Sequence, residues 1–270
     1  MSNNKSALKR NFIIAVVALV TVLIGLILLF NVIMMVDSKS PSGSNGCSSC
    51  SGSSSKAEEY FDKGYYDLAE VEVKKELEKD SKNLGNILLY AYILQKQKKN
   101  KEALAAYEDY IKLKQNNVEV LVETSSLCDV LKEYDKAEKY LMMAIKFAPK
   151  NDKAHNNLCW VLAEKKEYEK ALKYCKIALE INPGDPFIID SMAYTLQGLK
   201  KYDEAIDYYN EAISINPTVA ELYRHLAELY QETGKNDLAI ENYEKFLDLE
   251  PQSDLVKEVK SKIKALKKPE

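Results

Sequence analysis

Residues 152–185 read DKAHNNLCWVLAEKKEYEKALKYCKIALEINPGD, and this stretch decides the fold. Its first part, residues 152–164, places apolar residues at the spacing of one helix face, and the short turn KKEY follows. A second amphipathic stretch runs to Pro183, where a helix must stop because proline lacks an N–H and its ring clashes with the preceding turn. The stretch therefore predicts two helices joined by a tight turn.

The same pattern recurs along the chain with a constant period. Alanine occupies one position of every repeat, at Ala69, Ala103, Ala137, Ala171, Ala205 and Ala239. A proline at the end of the repeat recurs at the same interval, at Pro149, Pro183, Pro217 and Pro251. A residue of the turn recurs in the same way, at Tyr66, Asn100, Tyr134, Tyr168, Tyr202 and Asn236. The step is 34 residues in each column. A fixed period of this length indicates stacked structural repeats, each of which buries its apolar face against its neighbours.

The small residue in the first helix, the tyrosine at the turn, the alanine after it and the closing proline resemble the tetratricopeptide repeat family. The resemblance covers residues 56–253 and gives about six repeats, of which the first is degenerate and the second has Gln115 in place of the proline. It implies an all-α solenoid of helix–turn–helix units. Such a solenoid is typically a binding scaffold.

A separate amphipathic stretch at residues 254–270 is predicted to form a capping helix over the open end of the solenoid. Its apolar face is Leu255, Val256, Val259, Ile263 and Leu266. The lysines on the opposite face are either a solvated surface or a patch for acidic partners.

Further columns of the repeat are predicted to fill the core. Cys128, Cys159 and Cys175 stand in these columns and are expected to pack as small hydrophobic side chains. One more apolar column is expected to pack against the following repeat, at Leu113, Phe147, Ile181, Ile215 and Leu249.

Residues 12–36 contain no charged side chain, and they predict a transmembrane helix. At ~1.5 Å per residue such a helix reaches roughly 37 Å, enough for a hydrocarbon core of about 30 Å. A cleaved signal peptide is the alternative, but its apolar region is usually shorter and ends at a small-residue cleavage site, and no clear site follows here. We therefore expect an uncleaved signal anchor.

Charges around this segment predict its orientation. Lys5, Lys9 and Arg10 precede it, whereas few charges follow it before residue 56. The positive-inside rule then leaves residues 1–11 as a cytoplasmic tail and places the repeats on the extracytoplasmic side of a bacterial-type cytoplasmic membrane.

Residues 37–55 are rich in serine and glycine and are predicted to form a flexible linker. The linker carries Cys47 and Cys50, a possible disulfide in an oxidising compartment. Three interpretations stay open: a locally closed or incidental pair, disulfides between the linkers of two molecules, and a redox or metal site. A redox motif would need a strand followed by a helix, and a zinc site would need a second pair of cysteines.

Charge and motifs argue against several classes of function. The chain has a net charge of −3, and because the segments 1–55 and 254–270 each carry +3, the repeats between them carry −9. A domain this acidic is a poor non-specific binder of nucleic acid. We find no P-loop, GxGxxG or HExxH motif and no catalytic constellation around the two histidines, so neither an enzyme, a cofactor nor a metal site is predicted.

The resemblance places the working surface on the concave face, which the first helices of the repeats line. The predicted partner-binding residues in these columns are Trp160, Tyr194, Phe187, Asn156, Asn157, Asp190 and Tyr92. The asparagines are candidates for hydrogen bonds to an extended peptide, and Glu119, Glu123, Asp129 and Asp190 make part of the groove acidic. The alternative is that the aromatic residues pack between neighbouring repeats.

The sequence thus predicts a single-pass, membrane-anchored scaffold that binds protein or peptide partners outside the cytoplasm. By analogy with anchored repeat proteins it would assist secretion, envelope assembly or assembly of a complex. Two alternatives remain: a self-assembling module that forms homo-oligomers, and an accessory subunit of a membrane enzyme complex.

Overall fold

The structure is a computed structural model that describes residues 55–267, and this part of the chain contains helices and no strands. The helices are α1 Lys56–Asp62, α2 Tyr66–Lys79, α3 Leu84–Lys96, α4 Asn100–Leu113, α5 Val118–Val130, α6 Tyr134–Phe147, α7 Asp152–Glu164, α8 Tyr168–Ile181, α9 Pro186–Gly198, α10 Tyr202–Ile215, α11 Ala220–Glu232, α12 Asn236–Leu249 and α13 Val256–Leu266. The predicted all-α solenoid is confirmed for these residues.

Several predicted segments lie outside the described residues. They are the tail at residues 1–11, the membrane segment at residues 12–36, and the linker up to residue 54 with Cys47 and Cys50. Within residues 55–267, each helix is too short or too polar to cross a membrane.

Side-chain caps fix where the first helix of each central repeat begins. The cap residues occupy one column of the repeat, at Asn83, Asn117, Asn151 and Asp185. Each side-chain oxygen accepts a hydrogen bond from the backbone N–H three residues later, which satisfies a donor that has no partner within the helix. Val219 takes this position before α11 and provides no side-chain cap.

The second helices end where the prolines predict. Helices α8 and α10 stop two residues before Pro183 and Pro217, because the residue before a proline is forced out of the helical region. Helix α4 ends at the equivalent residue, Leu113, although Gln115 replaces the proline. The proline therefore reinforces a helix end that the packing of the repeat already sets.

The turn between the two helices of a repeat contains one residue with a left-handed backbone conformation. These residues also form a single column, Gly64, Lys98, Lys132, Lys166, Lys200 and Gly234, with φ between 59° and 77°. The following N–H bonds back to the helix, as from Glu167 to the Leu162 carbonyl at 2.8 Å, which completes a Schellman cap. Four repeats thus hold a lysine where glycine would be unstrained.

Replacing one of these lysines by glycine is expected to stabilise the protein. The left-handed conformation costs an L-residue roughly 1–2 kcal/mol, and the greater freedom of glycine in the unfolded chain offsets part of the gain. We expect Lys166→Gly to raise the free energy of unfolding by up to ~1 kcal/mol. Urea denaturation of the full-length protein in a mild detergent would measure it. Lys170→Gly, inside helix α8, is the control and should lower stability by about 1 kcal/mol.

Small and large residues alternate in the core. The alanine column is fully buried at Ala69, Ala103, Ala137, Ala171, Ala205 and Ala239, and this lets paired helices approach closely. Tyr107, Tyr209 and Tyr243 of the second helices are fully buried as well, and each hydroxyl donates to a glutamine of the first helix in the same repeat, at 2.9–3.2 Å. The repeat therefore closes with one buried polar contact.

Cys159 and Cys175 correct one prediction. Both are buried as expected, but they are bonded to each other as a disulfide, with their Cα atoms 5.2 Å apart. Their columns face each other: where Cys159 stands other repeats have alanine or serine, and where Cys175 stands they have tyrosine, leucine or valine. Cys128 is buried and free, and burial raises the pKa of its thiol to about 12.

The C-terminal capping helix forms at α13 and buries Val259 and Ile263 in the main core. Two of its lysines are not simply solvated: Lys262 bonds Glu228 at 3.0 Å, and Lys267 bonds Glu244 at 2.8 Å. The predicted packing of the last apolar column is wrong for four of its five residues, because Leu113, Phe147, Ile181 and Ile215 are exposed. They lie in the last turn of each second helix.

Candidate functional site

A stacked pair of aromatic rings lies at the centre of the first-helix face. Trp160 on α7 and Tyr194 on α9 have ring centroids 4.8 Å apart and planes 26° from parallel. Both side chains remain partly exposed. The stack thus packs between neighbouring repeats, as the alternative interpretation expected, and still presents aromatic surface.

A buried polar group supports this stack. The imidazole of His225, on α11, lies 5.8 Å from the Trp160 ring and 6.1 Å from the Tyr194 ring. Its Nδ1 is 2.8 Å from a carboxylate oxygen of Asp190, and its Nε2 is 2.7 Å from the guanidinium of Arg224. A guanidinium only donates, so Nε2 accepts and the proton on Nδ1 points to Asp190.

Asp190 therefore has a different position from the one predicted. It is 7% exposed and hydrogen-bonded to His225. It therefore lies beneath the surface of the groove, and its charge is not available to a partner. Burial acts to lower the pKa of His225, but the Asp190 carboxylate more than offsets this and raises it. Because the two residues are 35 positions apart, the periodicity gave no signal of this pair.

Two carboxylates border the stack on its other side. Glu164, at the end of α7, accepts hydrogen bonds from the hydroxyls of Tyr194 at 2.7 Å and Tyr134 at 3.0 Å. Burial raises the pKa of Asp129, the negative charge of Glu164 raises it further, and the side chain of Trp160 acts in the opposite direction. Asp129 is thus held in a position that disfavours its own ionised form.

Asp129 also departs from the pattern of the other repeats. In three other repeats this column holds Gln95, Gln197 and Gln231, each of which accepts from a buried tyrosine hydroxyl, and in the remaining two it holds the uncharged Phe61 and Ala163. In the repeat of Asp129, Leu141 replaces that tyrosine, so the carboxylate has lost the donor that its equivalents have. Comparing these two columns within the sequence would have singled out this residue.

A small cavity opens beside Asp129 and Trp160. Its volume is about 90 Å³, and its remaining lining residues are Ser125, Ser126, Asn157 and Val161. The amide of Asn157 donates to the hydroxyl of Ser126 at 3.2 Å, which ties α7 to α5 across the cavity. The neighbouring Asn156 has a buried side-chain oxygen with no hydrogen-bond partner among the described residues.

The remaining predicted site residues lie apart from this cluster. Phe187 is 53% exposed in the first turn of α9, and among the described aromatic pairs it contacts neither Trp160 nor Tyr194. Tyr92 packs edge-to-face on Tyr107 at 5.8 Å. Burial raises the pKa of Tyr92, and so do the charges of Glu123 and Glu119.

The acidic residues of the first helices divide into two groups. Near the C-terminal end, Glu228 is paired with Arg224 and Lys262, both at 3.0 Å. In the central repeats, no described lysine, arginine or histidine lies within ion-pairing distance of Glu119, Glu123, Asp129 or Glu164. The negative charge of this part of the groove is therefore uncompensated.

A larger cavity of about 540 Å³ lies elsewhere, on the second helices α4 and α6, around Ile111 and Tyr140. Its lining carries one acid, Glu108, which pairs with Lys136 at 3.3 Å, and two further lysines, Lys112 and Lys139. In the described part of the chain, no three or more histidine, cysteine or acidic side chains converge as metal ligands would.

Comparison with known proteins identifies the repeats. Residues 152–185 match the model of one tetratricopeptide repeat, and residues 185–251 match a second tetratricopeptide repeat model. The prediction that these repeats belong to the tetratricopeptide repeat family is confirmed. No curated protein sequence matches the chain significantly.

Solved structures share the fold. A tetratricopeptide repeat protein from Parabacteroides merdae is 23% identical with a TM-score of 0.66, over 78% of this chain and 88% of that one. PilF from Pseudomonas aeruginosa is 22% identical with a TM-score of 0.56, over 76% of this chain and 93% of its own. MamA from Desulfovibrio magneticus is 19% identical with a TM-score of 0.52, over 63% of this chain and 97% of its own. At these identities the likeness concerns the fold alone.

Proposed function

We propose that this protein is a membrane-anchored scaffold whose first-helix face binds peptide segments of partner proteins. The observation that carries the proposal is the partly exposed stack of Trp160 on Tyr194. Large aromatic side chains on rigid elements are the usual anchors of protein interfaces. The Asp190–His225 pair beneath the stack holds the rings in place and so lowers the cost of ordering them on binding.

The asparagines beside the stack suit the backbone of an extended peptide. Asn156 has a buried oxygen that lacks a donor, and Asn157 has an amide on the rim of the small cavity. A backbone carbonyl of the peptide could accept from the Asn157 amide, whereas the buried Asn156 oxygen becomes reachable only if its side chain rotates.

Truncation of the anchor tests this function. We expect Trp160→Ala to weaken peptide binding about thirtyfold, since a hot-spot truncation costs ~2 kcal/mol or more and ~1.4 kcal/mol is a factor of ten. A photo-crosslinker at Asn157 in native membranes would identify the bound segment, and a synthetic copy would then give Kd for each variant. Phe187→Ala removes an exposed ring outside the stack and should change Kd less than threefold.

The opposite pattern would make Trp160 a core residue. In that case Trp160→Ala would lower the melting temperature and the helical signal of the full-length protein while leaving the affinity unchanged.

We propose further that residues 12–36 anchor the protein in the cytoplasmic membrane, with the repeats outside the cytoplasm. The uncharged run and the preceding basic residues support this. Cys159 and Cys175 are compatible with this location, because their Cα atoms are 5.2 Å apart, within disulfide range, and an oxidising compartment preserves disulfides.

Protease treatment of intact cells tests the orientation. We expect added protease to digest residues 56–270 without lysis, because they would face the exterior of the membrane. A cytoplasmic protein of the same cells serves as the control for leakage. Protection of the repeats until the membrane is breached would rule out this orientation, and a mature N-terminus after residue 36 would show cleavage in place of anchoring.

Self-assembly is a second candidate, and the exposed column of Leu113, Phe147, Ile181 and Ile215 favours it. Such a repeated apolar column is a surface on which a second copy could pack. A mass that rises with protein concentration would support this function, and a constant monomer mass in detergent would exclude it.

A further inference from the structure

We propose that the small cavity beside Asp129 and Trp160 receives a lysine or arginine side chain, so that the preferred partner is a basic peptide segment. This inference rests on the proposed peptide-binding function and names the chemistry of its ligand.

The size and lining of the cavity suit a cationic head group. Its volume of about 90 Å³ exceeds the ~30 Å³ that one water occupies in the liquid, so an ammonium or guanidinium group can enter. Asp129 supplies the opposite charge, and the hydroxyls of Ser125 and Ser126 supply acceptors for the remaining N–H groups. The ring of Trp160 and the side chain of Val161 complete an apolar wall for the methylene stem.

The aromatic wall adds a second attraction for a cation. Tryptophan is the most favourable aromatic partner of a cation, and Trp160 is the single tryptophan of the chain. Lysines of this protein cover the rings of five tyrosines at 5.5–5.8 Å, namely Tyr60, Tyr90, Tyr140, Tyr230 and Tyr243. Among the described residues no lysine or arginine covers Trp160 or Tyr194 in this way, so these rings stay available to a cation from a partner.

Charge complementarity points to the same ligand. Glu119, Glu123, Asp129 and Glu164 lie on or beside the first helices α5 and α7 without an ion-pair partner in the described chain. Two acids of the neighbouring second helices are paired within the protein: Glu138 with Lys165 at 2.6 Å and Glu108 with Lys136 at 3.3 Å. An uncompensated negative groove attracts basic segments and speeds their association.

Asp129 is unfavourable for folding, which a role in binding would explain. The equivalent residues Gln95, Gln197 and Gln231 are neutral and hydrogen-bonded to a tyrosine, whereas Asp129 is half-buried beside the carboxylate of Glu164. A ligand cation placed between the two carboxylates would remove this repulsion. Charged groups that are unfavourable in the free protein are typical of binding sites.

The single tryptophan allows a direct test on the full-length protein in a mild detergent. The probe is a capped peptide that alternates arginine with glycine, and a peptide with glutamine in place of arginine is its neutral match. We expect the arginine peptide to change the Trp160 fluorescence, with an affinity at least tenfold above that of the glutamine peptide. The affinity should fall as salt is added, because the attraction between exposed charges is screened.

Removal of the carboxylate should separate binding from stability. We expect Asp129→Asn to weaken binding of the arginine peptide about tenfold or more, and to leave the melting temperature equal or higher because burial and Glu164 disfavour the ionised carboxylate, which has no ion-pair partner among the described residues. Glu244→Gln is the matched control: it makes the same change of charge on the second helix α12, where Glu244 pairs with Lys267, and should leave the affinity unchanged.

Binding should also depend on pH with a defined sign. The cation favours ionised Asp129, whose pKa in the free protein is raised by burial and by Glu164. Binding is therefore complete above this raised pKa and weakens as the pH falls through it, and the Asn variant should lose this dependence. Glu119, Glu123 and Glu164 are the other acids of this face and titrate in both proteins.

Each outcome decides between the two proposals. If both peptides bind equally, and titration calorimetry shows an affinity that falls in Trp160→Ala but not in Asp129→Asn, the preference for a basic partner is wrong and the peptide-binding function stands. If the arginine peptide binds regardless of both residues, its attraction is general to the acidic surface and both proposals fail for this groove. Absence of binding by the arginine peptide at millimolar concentration would also overturn the basic-ligand proposal.

Discussion

Reduction of the Cys159–Cys175 bond is expected to lower the free energy of unfolding by about 3 kcal/mol, the value typical of a cross-link that closes a loop of roughly 15 residues. The bond joins helices α7 and α8 across 16 residues of sequence, and both sulfurs lie within 3.4 Å of the Thr195 hydroxyl in the next repeat. Breaking it raises the conformational entropy of the unfolded chain and removes a covalent link between two helices at the centre of the solenoid. Urea denaturation with and without a reductant would measure the difference.

The experiment requires a background without other disulfides. Cys47→Ser and Cys50→Ser remove the linker cysteines, so that the reductant acts on the described pair alone. In the same background, Cys159→Ala with Cys175→Ala should make stability insensitive to the reductant. If protein prepared without reductant from native membranes carries two free thiols at these positions, the bond is absent in the cell and the expected effect of the reductant on stability does not occur.

Gly198→Ala is the second change with a large expected effect. Gly198 ends helix α9, and a Cβ at this position would lie 2.1–2.5 Å from ring atoms of Tyr168. In a helix the exchange of glycine for alanine normally stabilises by up to ~1 kcal/mol, but here the ring must move out of a packed contact. We expect a net loss of about 1–3 kcal/mol, as for overpacked cores.

The neighbouring repeats explain why glycine stands at this position. In the equivalent position, Glu164 and Glu232 accept the hydroxyls of Tyr134 and Tyr202 at 3.0 and 2.9 Å, so those rings lie further out. Gly184→Ala is the control, because a Cβ there meets nothing within 4 Å and stability should change by less than ~0.5 kcal/mol. A thermal melt in which both variants match the parent protein would show that Tyr168 moves aside without loss.

The repeat architecture followed from the sequence because its signals are local. The constant period, a proline after most second helices and an amphipathic pattern within each hairpin depend on neighbours along the chain. Similar contacts within the hairpin recur from repeat to repeat, so the same sequence pattern occurs several times along the chain. The helix–turn–helix units were predictable for this reason, whereas the capping helix, predicted at residues 254–270 and found at residues 256–266, followed from its own amphipathic pattern.

The candidate site was predictable only as a set of columns. Periodicity placed Trp160 and Tyr194 on the same face in adjacent repeats, and the structure stacks them. Periodicity could not show that Phe187, in the first turn of its helix, lies outside this stack. A position in the repeat indicates which face of the helix a residue occupies, but it does not indicate the distance between two rings. The burial of Asp190, which had been predicted to contact a partner, was missed for the same reason.

Sequence alone determined the period, the element order and the face that each column occupies, since these depend on helix geometry and on residues within one hairpin. Tertiary structure decided which columns meet: Cys159 with Cys175, Asp190 with His225, and Asp129 with Glu164 and no cation among the described residues. These contacts join different helices, and mostly different repeats. They depend on the rotation and spacing of packed helices, which side-chain volumes set collectively and no local pattern records.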